Sequence, residues 1–251
     1  MNLFSFLIGV GAAIGLWRVF QTSSQDNRKL YVIDSLIVLF GALIGARISF
    51  IFAHFSYYRI NLNETYQLWL GGLSGYGAFA GGVITCLVTA VIRKAKFRTE
   101  LDHIAVMLLP IATAIWAGCT FAGISYGTIL PTGTWWGLRL VDESGVIALR
   151  VPVQPAAAIS LIIVLGFTEL LIKSPRQSGL KAGMIGLVFS IHTLLFSLMR
   201  VDPAQRLFGQ RLDIWASILF IAGSLILVAV SLRNFNLKQT AETASSIEVI
   251  E

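Results

Sequence analysis

Residues 69–82 read W-L-G-G-L-S-G-Y-G-A-F-A-G-G, and six of the twelve positions from Gly71 to Gly82 are glycine. Glycine loses the most backbone entropy on folding and has no side chain to pack, so this composition is costly in a plain membrane helix. What glycine permits is close approach of backbones, a turn, or main-chain N–H groups that face a ligand. Irregular backbone in a bilayer is tolerated only where protein buries it or a polar cavity adjoins it. We therefore interpret the stretch as the wall of a site.

The same stretch has a second interpretation, a glycine-lined contact between two helices. Gly77 and Gly81 are four residues apart, which is the spacing at which small residues let membrane helices approach closely. Gly41 and Gly45 repeat this spacing earlier in the chain. The sequence leaves the choice between a site wall and a packing contact open.

The rest of the chain is typical of a polytopic membrane protein. Its 251 residues are 56% hydrophobic and only 13% charged, where a soluble domain would carry about 25% charged residues. Seven apolar segments are each near the ~20 residues that a helix needs to cross a bilayer. They are 2–20, 30–55, 67–92, 101–122, 151–172, 180–199 and 212–232. We expect an all-α fold with a seven-span membrane domain over residues 1–232 and a polar, disordered cytoplasmic tail over residues 233–251.

Lysine and arginine are distributed unevenly between the two ends of these spans. One end carries most of them, including Arg18, Lys29, the basic run 93–98, Lys173 and Arg176, whereas the other end carries arginine without lysine. The positive-inside rule places the richer end in the cytoplasm, so the N-terminus is expected outside and the C-terminus inside. Membrane topology thus explains the net charge of +6, and no nucleic-acid partner is expected.

Arg47 is the most informative single residue, because a charge within an apolar span is costly. We expect it to face the bundle interior and to meet an acid, main-chain carbonyls or an anionic headgroup. The alternative is that its long side chain reaches back to the membrane surface. Asp34 and Glu169 are interpreted as helix-end or pairing charges, and His192 as a core histidine that could also serve as a base.

Further irregular or arginine-bearing stretches fall at the same, outer end. The fourth span ends in a glycine-rich run that includes Tyr126. The fifth span begins with Arg150 and Gln154, and the sixth ends at Arg200. Guanidinium forks match phosphate oxygens, so these stretches together predict a lipid-headgroup site facing the outer leaflet.

The loop 125–150 is the longest connection at this end. It contains Trp135 and Trp136, which are interpreted as an interfacial anchor at headgroup depth. The alternative is an amphipathic arm that lies on the membrane and gates lateral access of lipid or peptide.

Taken in order, these stretches resemble the motifs of the prolipoprotein diacylglyceryl transferase family, and the resemblance covers nearly the whole chain. The matching stretches are Gly45-Ala-Arg47, Gly71-Gly-Leu-Ser-Gly-Tyr-Gly77, Ala122-Gly-Ile-Ser-Tyr-Gly127, Pro152-Val-Gln154 and Arg200-Val-Asp202. The resemblance implies a seven-span fold with the N-terminus outside, in the cytoplasmic membrane of a bacterium.

The resemblance also implies a reaction. The diacylglyceryl group of phosphatidylglycerol passes to the lipobox cysteine thiol in the signal segment of a preprolipoprotein, with a thioether and glycerol phosphate as products. The partners implied are phosphatidylglycerol, that signal segment and the lipid bilayer, and no metal or organic cofactor is implied. The expected lipid-binding residues are Arg47, Gly71, Gly72, Ser74, Gly77, Tyr126, Arg150, Gln154 and Arg200.

Several polar residues of the family pattern are replaced in this chain. Tyr76 stands where the family has a histidine, and it is the candidate catalytic residue. The hydroxyl of a tyrosine ordinarily ionises near pH 10, which makes it a poor base at neutral pH. The other replaced positions are Trp116, Cys119, Ile124, Thr193 and Ser197.

Two other functions fit the same features. One is a non-catalytic relative that binds lipid or lipoprotein signal segments with the retained scaffold. The other is a small transporter in which broken third and fourth spans form a midplane site. Inverted internal repeats would favour the transporter, and the sequence has none that we can detect.

Overall fold

The structure is a computed structural model that describes residues 3–68, 71–172 and 177–248. Trp69 of the quoted stretch, Lys173 and Arg176 of the basic end, and residues 249–251 of the tail lie outside the described part.

Within the described part, seven helical segments are long and apolar enough to cross a membrane, as the sequence predicts. Five of them are α1 (Leu3–Thr22), α2 (Arg28–Ala53), α4 (Gly75–Ile92), α7 (Val153–Leu171) and α8 (Leu180–Met199). The fourth span is built from α5 (Phe97–Ile104), a 3-10 turn (Ala105–Met107) and α6 (Leu108–Ala122). The seventh is the first part of α9 (Leu212–Glu248), while the short α3 (Phe55–Tyr58) and a 3-10 turn (Leu62–Glu64) follow α2.

The third span is shorter than the predicted segment 67–92, because its helix begins only at Gly75. Gly71 and Gly72, with φ of +85° and +77°, have left-handed backbone that cannot continue an α-helix. At the other end of the chain, α9 continues to Glu248 through the segment for which the sequence predicts disorder. Residues such as Ala and Glu have high helix propensity, so a polar composition alone does not end a helix.

The fold is mostly helical but not purely so, because two short antiparallel hairpins lie between spans. Strands β1 (Leu138–Val141) and β2 (Ile147–Arg150) pair within the loop 125–150. Their turn is held by the Asp142 carboxylate, whose Oδ1 accepts hydrogen bonds from two main-chain N–H groups at 3.0 Å. Strands β3 (Arg206–Leu207) and β4 (Gln210–Arg211) pair just before α9. Trp135 lies before the first hairpin and is 92% exposed, and its role as an interfacial anchor stays a prediction.

Helices α2 and α4 cross at their glycines. A Cβ on Gly45 would lie 2.6 Å from the Gly77 carbonyl oxygen and 2.7 Å from the Gly81 Cα, and a Cβ on Gly81 would lie 2.6 Å from the Gly41 carbonyl oxygen. Both four-residue glycine pairs therefore meet in one contact that no larger residue would allow. The packing interpretation is confirmed for the helical half of the glycine-rich stretch.

Two acids inside the spans, Asp34 and Glu169, are paired with arginines. Arg93 donates to Asp34, and Arg18 donates to Glu169, which confirms the pairing interpretation of these two acids. Pairing lowers the cost of holding charge at membrane depth. Cys86 and Cys119 are both free and buried, as expected of packing residues.

The largest buried apolar cluster joins α6, α7 and α8. It includes Trp116 of α6, Leu161 and Leu165 of α7, and Ile185 of α8, and the last three are completely buried. A smaller cluster around Val19 and Val106 fastens α1 to the fourth span. Buried small and branched side chains thus hold the helices in place, and they position the loops at the helix ends.

The glycine crossing predicts the effect of an added methyl group. Gly45→Ala should lower the unfolding free energy by about 1–3 kcal/mol, since the new Cβ would clash with the backbone of α4 rather than with a movable side chain. Thermal unfolding in detergent measures the change. Gly223→Ala is the matched control, because a Cβ there meets nothing within 4 Å. Equal stability of the two variants would refute the contact.

Candidate functional site

The candidate residues lie at one end of the bundle, which we call the site end. There α2, α6 and α8 finish, and α4, α7 and α9 begin. Alternating spans bring these six helix ends to the same level, because each span reverses the chain direction. The site end therefore collects Arg47, Ser74, Tyr126, Arg150 and Arg200 on neighbouring connections.

Arg47 lies near the end of α2, is 5% exposed, and is bound entirely by main-chain oxygens. Its Nε donates to the Thr65 carbonyl at 2.8 Å. Its Nη1 donates to the carbonyls of Gly71 at 2.6 Å and Gly72 at 3.1 Å. Its Nη2 donates to the carbonyls of Glu64 and Gln67. All five guanidinium N–H groups are therefore used, so Arg47 faces the interior as predicted and its partners are carbonyls.

Residues 71–74, which we call the glycine loop, are shaped by this arginine. A Cβ on Gly72 would lie 2.6 Å from the Phe50 ring and 2.9 Å from Arg47 Nη1, so only glycine lets the loop approach the guanidinium. Ser74 then begins α4 as its N-cap, with its Oγ accepting from the Gly77 N–H at 3.3 Å. Its own N–H donates to the Ala46 carbonyl at 3.1 Å, which ties the loop to α2.

Tyr76 lies in the first turn of α4 and is half-buried. In the described part of the chain its hydroxyl has no hydrogen-bond partner. One turn further along, the ring of Phe79 stacks on Phe189 of α8 with 5.7 Å between centroids. Tyr76 is therefore carried on a helix that packs against α8, and its hydroxyl is available to a ligand.

Arg150 ends strand β2 and is 4% exposed. Its Nη2 donates to Asp142 Oδ2 at 2.8 Å, and its guanidinium lies over the ring of Tyr126, 4.5 Å from the centroid. Aromatic faces attract cations, most strongly where water is excluded. Burial, followed by the neighbouring Glu143 carboxylate, raises the pKa of Tyr126 to about 12, so this phenol stays neutral.

Two buried polar atoms in this region have no partner in the described part of the chain. They are Nε of Arg150 and Oε1 of Gln154, a side chain with no exposed surface. The amide nitrogen of Gln154 is satisfied by the Ile124 carbonyl at 2.9 Å, which fixes the direction of its free oxygen. An unpaired buried donor or acceptor costs about 1–3 kcal/mol, and sites for ligands are a common reason to keep one.

Arg200, Asp202, Arg211 and Asp213 form a closed group of ion pairs, which we call the arginine cluster. Arg200 binds both carboxylate oxygens of Asp202, at 2.9 and 2.7 Å, and reaches Asp213 at 3.2 Å. Arg211 donates to Asp213 and to the main-chain oxygen of Asp202. Burial lowers the pKa of Arg200, but the hydrogen bonds to Asp202 together with the charges of Asp202 and Asp213 outweigh burial and leave the pKa raised. The cluster thus joins the end of α8 and the β3–β4 hairpin to Asp213 in the first turn of α9.

His192 has a partner that the sequence did not reveal. Its Nε2 lies 2.9 Å from Ser160 Oγ, and Ser160 donates to the Ala156 carbonyl at 2.7 Å, so the histidine donates to the serine. Its Nδ1 is buried without a partner, as are the hydroxyls of Thr193 and Ser197. Both hydroxyls are uncharged, and positions 193 and 197 are two of the replaced positions noted in the sequence.

The structure brings the predicted residues together as two groups. Arg47, the glycine loop and Gly77 form one group between α2 and α4. Tyr126, Arg150, Gln154 and Arg200 form the other, in which the Val201 N–H donates to the Tyr126 carbonyl at 3.0 Å and residues 127 and 200 pair as a β-bridge. Sequence reasoning missed the partners Asp142, Asp202 and Asp213, although an acid two residues from an arginine, as in Arg200-Val-Asp202, is a signal for pairing.

This fold and site define a seven-span membrane protein with a polar, arginine-bearing site at one end of its bundle. The chain belongs to the prolipoprotein diacylglyceryl transferase family, because the model of that family matches residues 1–230. The resemblance seen in the sequence motifs is thereby confirmed.

Individual relatives match with modest identity. A phosphatidylglycerol–prolipoprotein diacylglyceryl transferase from Streptococcus pneumoniae (strain ATCC 700669 / Spain 23F-1) is 28% identical over 222 residues, which are 84% of this chain and 83% of the relative. The protein of the same name from Listeria monocytogenes serotype 4a (strain HCC23) is 31% identical over 110 residues, 42% of this chain. That alignment spans only 39% of the Listeria protein, and one with a Bacillus velezensis relative spans 41%.

The contacts of Arg47 predict a local effect on the loop that it holds. Arg47→Lys keeps the charge but loses the planar fork, so the five carbonyl bonds cannot all form. Hydrogen–deuterium exchange of the amides at 62–68 and 71–74 should rise about tenfold or more, while α7 and α8 stay protected. Arg59→Lys is the control, since that arginine is exposed. Unchanged exchange of these amides in Arg47→Lys would show that the segment does not depend on this residue.

Proposed function

We propose that this chain transfers the diacylglyceryl group of phosphatidylglycerol to the cysteine thiol of a lipobox in a preprolipoprotein. Family membership over residues 1–230 supports the reaction class, and the printed names of the relatives specify these two substrates for those proteins. The observation that carries the proposal for this chain is that the buried Arg150 has an unpaired Nε and that Gln154, four residues further along, has an unpaired amide oxygen, both within the described part of the chain.

Arg150 has the properties needed to bind the phosphate of a lipid headgroup. It is held in place by Asp142 and Tyr126, so binding costs little additional side-chain entropy. Its unpaired N–H would donate to a phosphate oxygen, and the Gln154 oxygen would accept from a glycerol hydroxyl of the headgroup. Both atoms would thereby be satisfied, which is a favourable change for buried polar groups.

The chemistry breaks one C–O bond and forms one C–S bond. The thiol loses its proton to a base, and the thiolate sulfur bonds to the glyceryl carbon that carries the phosphate. The electron pair of the broken C–O bond leaves on glycerol phosphate. Arg150 would stabilise the negative charge that develops on this leaving group. Arg200, whose charge is balanced by Asp202 and Asp213, would hold the connection at Tyr126 in place at the edge of the site.

Tyr76 is the proposed proton acceptor, because its hydroxyl is unpaired and it precedes the contact between α4 and α8. The form of a tyrosine that accepts a proton is the phenolate, of which little exists near neutral pH, so transfer would be slow there. Arg47 would act as a positioning residue, since its N–H groups are all used in holding the glycine loop. The N–H groups of Gly72 and Leu73 would then face the lipid, since those of Gly71 and Ser74 already donate to main-chain carbonyls.

The proposal includes location and orientation. The chain would lie in the bacterial cytoplasmic membrane with its N-terminus outside, its C-terminus in the cytoplasm and the site end toward the outer leaflet. The positive-inside distribution of lysine and arginine supports this orientation, as does the occurrence of lipobox cysteines in exported proteins.

A second candidate function is lipid or signal-segment binding without transfer. It is favoured by three of the replaced positions of the family pattern. Thr193 and Ser197 present only unpaired hydroxyls within the described part of the chain, and Trp116 places an aromatic ring in the fourth span. The scaffold and the Arg150 region would suffice for binding. The two candidates differ in whether a thioether forms.

Arg150→Gln tests the headgroup assignment. The purified protein is incubated with phosphatidylglycerol and a lipobox peptide, and the thioether adduct is quantified by mass spectrometry. Loss of one charged donor to the leaving group should lower the rate about 10²-fold, and it should remove the rise in thermal stability that phosphatidylglycerol produces.

Two controls accompany this variant. Arg139→Gln changes an exposed arginine on β1 and should leave the rate unaltered. The double variant Arg150→Gln/Asp142→Asn removes the unpaired acid as well, and recovery of the wild-type rate in it would refute the role of Arg150. Lipid-dependent stabilisation of the wild type without any adduct would select the binding function.

Tyr76→His tests the identity of the base. A histidine at this position should raise the rate of adduct formation at least several-fold near pH 7, because imidazole accepts protons in that range. Tyr76→Phe should lower the rate. Tyr66→His, at a position that is 66% exposed, controls for an added histidine as such. If Tyr76→Phe keeps the wild-type rate, the proton goes elsewhere.

A further inference from the structure

The hairpin formed by β3 and β4 has an unusual residue at its tip. Phe208 and Gly209 are the two turn residues, with φ of +51° and +77°. Turns with positive φ at both positions favour Asn-Gly or Gly-Gly, because other side chains clash with their own backbone there. Local conformation therefore disfavours phenylalanine at position 208.

Packing does not explain this residue either. The Phe208 side chain is 86% exposed, and its ring meets only the edge of Trp215 in the described part of the chain, with 6.5 Å between centroids. A large apolar residue that is both strained and uncovered gains nothing from the protein around it. Some other apolar surroundings must account for it.

The position of the hairpin identifies those surroundings. The indole N–H of Trp215 donates to the Leu207 carbonyl at 3.0 Å, which fixes the hairpin against the first turn of α9. Trp215 and Leu219 are four residues apart on one face of that span, and Leu219 is 71% exposed. Phe208 thus extends the lipid-facing stripe of α9 beyond the helix start.

The hairpin is also rigidly attached to the bundle. Arg211 of β4 belongs to the arginine cluster and donates to the Asp202 main chain at 2.7 Å. The exposed Arg206 donates to the Gly209 carbonyl at 3.2 Å and lies at the level where lipid phosphates are expected. The hairpin therefore cannot swing away from the bundle without breaking the bonds of Arg211 and Trp215.

We propose that the hairpin 206–211 is a membrane wedge whose Phe208 ring inserts between phospholipids at the boundary of headgroups and acyl chains. An aromatic ring at this depth is stabilised as in the aromatic belts of other membrane proteins. Its occupant is the phospholipid surface itself. The proposal is independent of the transferase reaction and of which leaflet the site end faces.

The depth of residue 208 can be measured with a fluorescent label. Phe208→Cys is labelled with bimane, while Cys86 and Cys119 are protected by burial, and the full chain is placed in phosphatidylcholine–phosphatidylglycerol nanodiscs. Lipids with a doxyl group near the headgroup should quench the label strongly, and aqueous iodide should quench it weakly. Ser144→Cys in the first hairpin, whose turn is acidic and exposed, should show the opposite pattern.

Two results would overturn the proposal. Quenching of the residue 208 label by iodide alone would place the tip in water, and quenching by neither agent would place it against protein. Phe208→Asn supplies an independent test, because asparagine suits the turn. Its thermal stability in detergent should equal or exceed that of the wild type, whereas a marked loss would show that Phe208 is a packing residue.

Discussion

The buried guanidinium of Arg47 is the interaction on which the site end depends. A cation within a membrane span must be satisfied by protein, and here five main-chain bonds from 64–72 converge on it. Those carbonyls can reach the guanidinium only because glycine occupies positions 71 and 72 and because α2 and α4 cross at glycines. One charge therefore determines why the third span starts late and why its first residues form a loop.

Arg47 and Arg150 differ in how many of their N–H groups are already hydrogen-bonded, and this difference distinguishes a structural arginine from one that can bind a ligand. Both arginines are about 95% buried, but every N–H of Arg47 has a partner, whereas Arg150 retains a buried Nε that has none in the described chain. A saturated guanidinium rigidifies its surroundings, and an unsaturated one leaves a site for an anion. The proposed headgroup site therefore lies at Arg150, not at Arg47.

The two hairpins at the site end are each held in place by an arginine. Each contains an arginine paired with aspartate close in sequence, Arg150 with Asp142 and Arg211 with Asp213. Short strands and ion pairs hold these loops without a large apolar core of their own, so the apolar tip of the second hairpin, Phe208, remains uncovered by protein. Rigid loops over a helical scaffold are a common way to place binding groups accurately.

The sequence by itself determined the number of spans and the family, because each depends on local composition or on motifs in order. It offered the glycine contact and the pairing of Asp34 and Glu169 as one of two interpretations each. It also located Arg47, Arg150, Gln154 and Arg200 at one end. Only the tertiary structure decided which of these side chains are already satisfied, that Asp142 and Asp202 are their partners, and that His192 meets Ser160. The physical reason is that a hydrogen bond belongs to a pair of atoms, and residues far apart in the chain become partners only when the helices have packed.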